Sequence, residues 1–155
     1  MPSFTAWYGM KHICKPKAGE TVFVSAATGA VGQVAGQLAK LSGAKAVGCA
    51  GDEDKCRWAV REAGYDACFN HKTERDYGAV LDKLCPQGID ADFENVGGKI
   101  FHAVFERLNN FGRVAFRAKL VVAAEVRARI DHGDLSALLY LQGYRRSDFV
   151  ERNEP

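Results

Sequence analysis

The sequence predicts a doubly wound α/β fold, a parallel sheet covered by helices on both faces. Three observations carry this reading. Short apolar strand patterns alternate with amphipathic helical patterns from residue 21 to residue 116. The first strand pattern runs straight into a glycine-spaced turn, "AATGAVG" (26–32), which opens the first helix of the series. No internal repeat or low-complexity linker interrupts the alternation. Strand–helix–strand units of this kind close as right-handed crossovers and bury their sheet from both sides.

Taken in order, "SFTAWYGMKHIC" (3–14) predicts a short helix ahead of the loop "KPKAGE". "TVFVSA" (21–26) predicts a buried strand, and 30–42 a helix with Val31, Val34, Leu38 and Leu41 on one face. "AKAVGCA" (44–50) is the second strand. Asp52, Glu53 and Asp54 open the next helix, where acids favour the positive end of the helix dipole, and Gly64 stops it. "DACFN" (66–70), "GIDADFENV" (88–96) and "GRVAF" (112–116) predict three more strands, with helices over 75–84 and about 98–108 between them. Beyond residue 116 the pattern weakens. "AKLVVAAEVRARID" (118–131) reads as one helix and "ALLYLQGY" (137–144) as a strand, ahead of a polar end. The chain is expected to form one domain over 1–155, with a Rossmann core to 116 and an atypical tail from 117.

Composition narrows the function classes. A chain of 155 residues with 47% apolar and 26% charged residues is long enough for a core of its own. A net charge of +2 over scattered basic residues gives no argument for nucleic acid. No apolar run approaches the ~20 residues that a membrane span requires. Five cysteines without a C-x-x-C pair suggest reduced thiols and a cytoplasmic setting, and with four dispersed histidines they offer no zinc pattern. Ser25 lacks the G-x-S-x-G setting of a hydrolase elbow. His102 reads as a solvated side chain, and Tyr8, Tyr65 and Tyr77 as core or surface aromatics. No residue is assigned a catalytic role and none a metal.

The turn carries the chemistry. Ala27-x-Gly29-x-x-Gly32 is the dinucleotide fingerprint with alanine in the first place. Gly29 allows close approach of a pyrophosphate, Gly32 allows the helix to pack on the strand, and the first N–H groups of the helix can bind the anion. An NAD site usually has an acid about 20 residues further on, bonded to the ribose. Here the second strand ends at Ala50-Gly51, and Asp52 is either a helix N-cap or a ribose ligand. Lys55, one turn on, can reach a 2′-phosphate or stand as a surface cation. The balance leans towards NADP(H).

"AATGAVGQVAGQLAKLSG", "GDEDKCR", "FNHKTE", "GIDADFENVGGK" and "NNFGRVAF" together resemble the zinc-independent medium-chain reductases, the family of prostaglandin reductases and alkenal double-bond reductases. The resemblance runs from about residue 1 to 116 and returns in "LQGYRRSDF". It implies an NADPH-dependent oxidoreductase that reduces the α,β-double bond of enals and enones by hydride transfer. It also implies that Thr28, Gly29, Ala30, Val31 and Gly32 hold the pyrophosphate and that Gly51 lies beside the adenosine ribose. Lys55 would pair with the 2′-phosphate and Asn95 would contact the nicotinamide half. His71 stands where the family has a tyrosine at the 2′-phosphate; imidazole can still donate a hydrogen bond.

Two departures limit the carry-over. Family members place a GroES-like substrate domain before the stretch that "MPSFTAWYGM" resembles. After "GRVAF" they continue into a "CGxISxYN" loop, where this chain has "RAKLVVAAEVRARIDH". The enal or enone is therefore expected to react only with a substrate domain in place. A stand-alone, non-catalytic nucleotide-binding or structural module is the alternative. Phe4, Trp7, Tyr8 and Ile13 on an uncovered first helix, together with the 137–144 strand, lead us to expect a homodimer.

Overall fold

The computed structural model describes residues 2–117 and 123–126. Five parallel strands run β1 (Thr21–Val24), β2 (Lys45–Ala50), β3 (Ala67–Asn70), β4 (Ile89–Glu94) and β5 (Leu108–Arg117). Between them lie α2 (Gly32–Leu41), α3 (Glu53–Arg61), α4 (Tyr77–Leu84) and α5 (Gly98–Phe105), with α1 (Pro2–Tyr8) ahead of β1. The spatial order is β3-β2-β1-β4-β5, with β6 (Ala123–Val126) beyond β5, so the doubly wound parallel sheet read from the alternation is the one that forms. One face of the sheet, with Val22, Val24, Ala46, Ala91 and Phe93, packs on α1, α2 and α3. The other, with Phe23, Val47, Cys49 and Ile89, packs on α4 and α5 through Leu81, Ile100 and Val104.

Four expectations are corrected. The helix read over 118–131 is not what its middle forms: Ala123–Val126 is a strand, β6, antiparallel to β5. The outer edge of β5 presents unpaired backbone groups, and ladder hydrogen bonds to it override a weak helical preference. The rest of that stretch and the 137–144 strand lie outside the described residues. The single helix over 3–14 divides, with Gly9–Cys14 wound as a π-helix that ends at Lys15 in the left-handed region. Ile13 is buried at 3% exposure and does not join the uncovered surface. Leu41 is 84% exposed, because the stripe of α2 that meets the sheet is Gly32, Ala35, Gly36 and Ala39. Leu41 lies roughly 200° round the helix from Ala39.

That small-residue stripe has a mate. Tyr65 is buried with its ring against α2 and β2: a Cβ on Gly36 would fall 2.2 Å from the ring, and one on Gly48 would fall 3.0 Å from it. The phenol hydroxyl donates to the Gly32 carbonyl at 2.7 Å. Burial pushes this phenol upward, so it remains a donor. On the same face of the sheet, Arg113 of β5 grips Glu20 with two nitrogens, at 3.0 and 2.5 Å, and donates to the Cys14 carbonyl at 2.8 Å. Burial is the largest influence on the Glu20 carboxylate and opposes its charge, yet the Arg113 hydrogen bonds, the Lys17 N–H and the charges of both residues together hold Glu20 below its usual range.

Most strand ends differ from expectation by one or two residues, and β5 begins four residues early, with local causes. β1 stops at Val24 because Ala26 turns to φ +49° and its carbonyl accepts from Gly29 N–H at 2.9 Å. β5 begins earlier than 112 and carries an irregularity, so that Ile89 faces Leu108 but Ala91 faces Arg113. Asn109 fills that gap, donating to the Gln87 carbonyl and to Asp90.

Gly36→Ala should destabilise the protein by about 1–3 kcal/mol through overpacking against Tyr65, although alanine is the better helix former. Tyr65→Phe should cost about 1 kcal/mol by removing a buried hydrogen bond. Urea unfolding reads both, and a Gly36→Ala protein as stable as its parent would refute this seating of the ring.

Candidate functional site

The order of the strands reverses at β1: the chain moves outward one way through β2 and β3, then returns to add β4 on the other side. In open α/β sheets the crevice at the carboxyl ends of such a pair is where ligands bind. Here the two ends are stapled. Ser25 N–H donates to the Phe93 carbonyl at 3.2 Å, and Ser25 Oγ donates to Glu94 Oε1 at 2.7 Å and accepts from Asn95 N–H at 2.6 Å. Asn95 Nδ2 donates to the Ser25 carbonyl at 2.8 Å. The same Glu94 oxygen accepts from the N–H groups of Val96 and Gly97 at 2.5 and 2.7 Å. These bonds leave Asn95 Oδ1 buried without a partner, an acceptor held in the crevice.

Beside the staple sits the glycine turn. A Cβ on Gly32 would lie 2.2 Å from the Ala26 carbonyl oxygen, so only glycine lets α2 start this close to β1. Gly29 is exposed, and its own Cβ position lies 3.2 Å from that oxygen. α3 and α4 are capped by Asp52 and Asp76, which accept from Lys55 N–H and Ala79 N–H. α2 has Val31 at its N-cap and no side-chain cap. Of its first N–H groups, that of Gln33 turns back to the Gly29 carbonyl at 3.0 Å, and no side chain caps the others; Val31 is buried beside them. A helix start without a side-chain cap and a turn closed to a Cβ at Gly32 fit a dinucleotide phosphate group.

At the end of β2 the structure separates two residues that the sequence left joined in purpose. Asp52 is the N-cap of α3, accepting from Lys55 N–H at 2.8 Å. That hydrogen bond leads in holding its carboxyl below the usual range, with the Lys55 ammonium, 3.5 Å away, and Lys72 adding to it against desolvation. Lys55 is thus engaged in a loose, exposed pair. His71, expected at the 2′-phosphate, lies near Gly51: its Nε2 is 3.7 Å from where a Cβ on Gly51 would be. Lys72 comes there too, Cε at 3.5 Å and Nζ at 3.7 Å. Sequence reasoning missed Lys72; its signal was its place directly after His71 in "FNHK".

Two more groups were missed, both on β4. Asp92 is fully buried with neither carboxylate oxygen bonded, two residues below Glu94 and on the same side of the strand. Burial first, then the Glu94 charge, pushes Asp92 well above the ordinary carboxylate range. Nearby Cys49 is likewise pushed up to about 12, chiefly by burial, which makes it an inert thiol. His102 is exposed on α5, as expected. Because folded Asp92 holds its proton more tightly than the unfolded chain does, its contribution is complete below the unfolded value near 4 and falls away as pH rises. Asp92→Asn should therefore leave stability unchanged at about pH 4 and raise it by roughly 1–3 kcal/mol at pH 8. Urea unfolding at both pH values checks this; an equal gain at both would exclude ionisation as the cause.

Comparison with known proteins places this arrangement. Residues 30–138 match the zinc-binding dehydrogenase family. A zinc-type alcohol dehydrogenase-like protein of Schizosaccharomyces pombe is 54% identical over 116 residues, 75% of this chain and 33% of that protein. The 2-alkenal reductase (NADP(+)-dependent) of Nicotiana tabacum is 50% identical over 115 residues, 74% of this chain and 34% of that one. The crystal structure of CurA in complex with NADPH from Vibrio vulnificus superposes with a TM-score of 0.74 at 40% identity, over 92% of this chain and 42% of that one. The chain thus spans about a third of the length of the two relatives. The family's name carries zinc, but the described residues do not fit a metal: no three His, Cys, Asp or Glu side chains gather into a binding group. Nor, among the described residues, is any helix long and apolar enough to cross a membrane. On the match to its residues 30–138, seated in this strand order and around this glycine turn, the chain belongs to the zinc-binding dehydrogenase family.

Proposed function

We propose that this chain is the NADP(H)-binding part of an oxidoreductase that reduces the α,β-double bond of enals and enones. The observation that carries the reading is the uncapped start of α2, packed against the Ala26 carbonyl at the β1–β4 seam. The name of the Nicotiana tabacum relative, a 2-alkenal reductase, and the NADPH complex of CurA support the cofactor and the reaction. In this reading the turn from Thr28 to Gly32 holds the pyrophosphate, through N–H groups other than that of Gly29, and Gly51 leaves room for the adenosine ribose. Lys55, released from Asp52, and His71 face the 2′-phosphate. Asn95, fixed by its bonds to Ser25, offers Oδ1 to the carboxamide of the nicotinamide half. Bound NADPH supplies the hydride.

The chain's own part is to bind and orient. Its crevice floor is formed by buried carboxyls: Glu94 is tied to Ser25, Val96 and Gly97, and Asp92 is buried beneath it. Hydride transfer needs the substrate carbon about 3–3.5 Å from the nicotinamide with water excluded. The described residues furnish one wall of such a site, so a GroES-like domain is proposed to supply the other. A cytoplasmic setting is proposed as well, and five free thiols support it. The homodimer is proposed through α1, where Phe4, Trp7 and Tyr8 are 60%, 44% and 44% exposed and cluster on His12.

Calorimetric titration should show NADPH binding at least about ten-fold tighter than NADH, and Lys55→Ala should erase much of that preference, as loss of one charge-assisted contact does. No binding of either nucleotide would overturn the proposal. With 2-nonenal, NADPH oxidation by this chain alone should be negligible; turnover would mean that self-association supplies the second wall. Sedimentation should find a dimer that Trp7→Lys dissociates, and a monomer at every concentration would refute the α1 interface.

A further inference from the structure

The loop after β3 places a second ammonium over Gly51 that the glycine turn and Lys55 do not explain. We propose that Lys72 is a specificity-determining residue for the 2′-phosphate, an inference that rests on the NADP(H) reading above. The loop that carries it is pinned from several sides. His71 N–H donates to the Ala50 carbonyl at 3.1 Å, which ties the loop to the end of β2. Lys72 N–H donates to Asn70 Oδ1 at 3.0 Å, and Thr73 Oγ1 and Glu74 N–H both donate to the Asn70 carbonyl, at 3.3 and 3.1 Å. The Tyr77 hydroxyl donates to the His71 carbonyl at 2.8 Å, anchoring the loop to α4. The backbone of Lys72 is therefore fixed although its side chain is exposed.

The charge pattern selects the ligand. Gly51 presents bare backbone, with His71 Nε2 and Lys72 Nζ each 3.7 Å from the position of a missing Cβ. The acid at this place, Asp52, has one oxygen on the Lys55 N–H and the other in the Lys55 ammonium pair, so both are occupied. Among the described residues Lys72 has no salt-bridge partner of its own, and its field reaches Asp52. A ribose diol asks for a free carboxylate to accept its hydroxyls. A phosphate monoester carries close to two negative charges and asks for donors and cations. Two ammonium groups, an imidazole and an engaged acid around an open glycine meet the second demand. Lys72 contributes without leaving an existing pair, whereas Lys55 must turn away from Asp52 to do so.

The test titrates the full chain with NADP⁺, NAD⁺, 2′,5′-ADP and 5′-AMP at fixed ionic strength. Lys72→Gln should weaken NADP⁺ and 2′,5′-ADP by about ten-fold, leave NAD⁺ and 5′-AMP within about two-fold, and be largely rescued by Lys72→Arg. Circular dichroism confirms the fold of each variant. A wild-type chain that binds NADP⁺ no tighter than NAD⁺ overturns the NADP(H) reading and this inference together. A wild-type preference that survives intact in Lys72→Gln overturns the role of Lys72 alone. An equal loss for phosphorylated and unphosphorylated ligands also overturns it, because the residue would then serve the loop and not the phosphate.

Discussion

The close approach of α2 to the end of β1 is the constraint on which the rest of the crevice depends. It needs no side chain at Gly32, since any Cβ would fall 2.2 Å from the Ala26 oxygen. It needs Ala26 in the left-handed region at φ +49°, a conformation that costs a non-glycine residue of order 1–2 kcal/mol. Packing from behind sustains that strain: Tyr65 fills the space between Gly36 and Gly48 and bonds the Gly32 carbonyl from within the core. The helix start is thus held from its buried side, and no side chain caps it.

A second solution to the same problem governs the β1–β4 seam. Buried polar groups are tolerated when they are bonded, and Glu94 Oε1 accepts from three donors contributed by Ser25, Val96 and Gly97. The staple sets the position of Asn95 across from the glycine turn and spends its amide nitrogen on Ser25. Asp92, one step down the same face, has none of these partners. Neighbouring carboxyls in one strand thus have opposite environments: one organises the crevice rim, and the other is a proton-holding group in the floor.

Where the sequence was legible, the reason is local. Strand runs such as "TVFV", acids opening α3 and glycines in a βα turn express short-range physics, and each reappears in the structure with its ends moved by a residue or two. Leu41 misled because helical spacing identifies a stripe but not its centre; the partner across the gap, Tyr65, turned the small residues inward. The middle of 118–131 misled because the edge of β5, more than its own composition, decides what Ala123–Val126 becomes. Lys72 and the Ser25–Glu94–Asn95 staple were hidden for the same reason: each joins elements far apart in the chain, and a list of residue types carries no such distances.

The end of β2 shows how one local choice settles a distant one. A carboxylate at this place can serve the ribose only if its oxygens are free. By capping α3, Asp52 satisfies an N–H that the helix must otherwise leave to water. The same act draws the Lys55 ammonium to within 3.5 Å and removes the acceptor that a diol would use. What remains around Gly51 is donors and positive charge from α3 and from the β3–α4 loop, with the loop's position set by its bonds to Ala50 and Tyr77. A helix cap has thereby converted a potential ribose site into one whose surroundings suit an anion. In the proposed reading, nucleotide preference rests on that exchange together with the cations it leaves around Gly51.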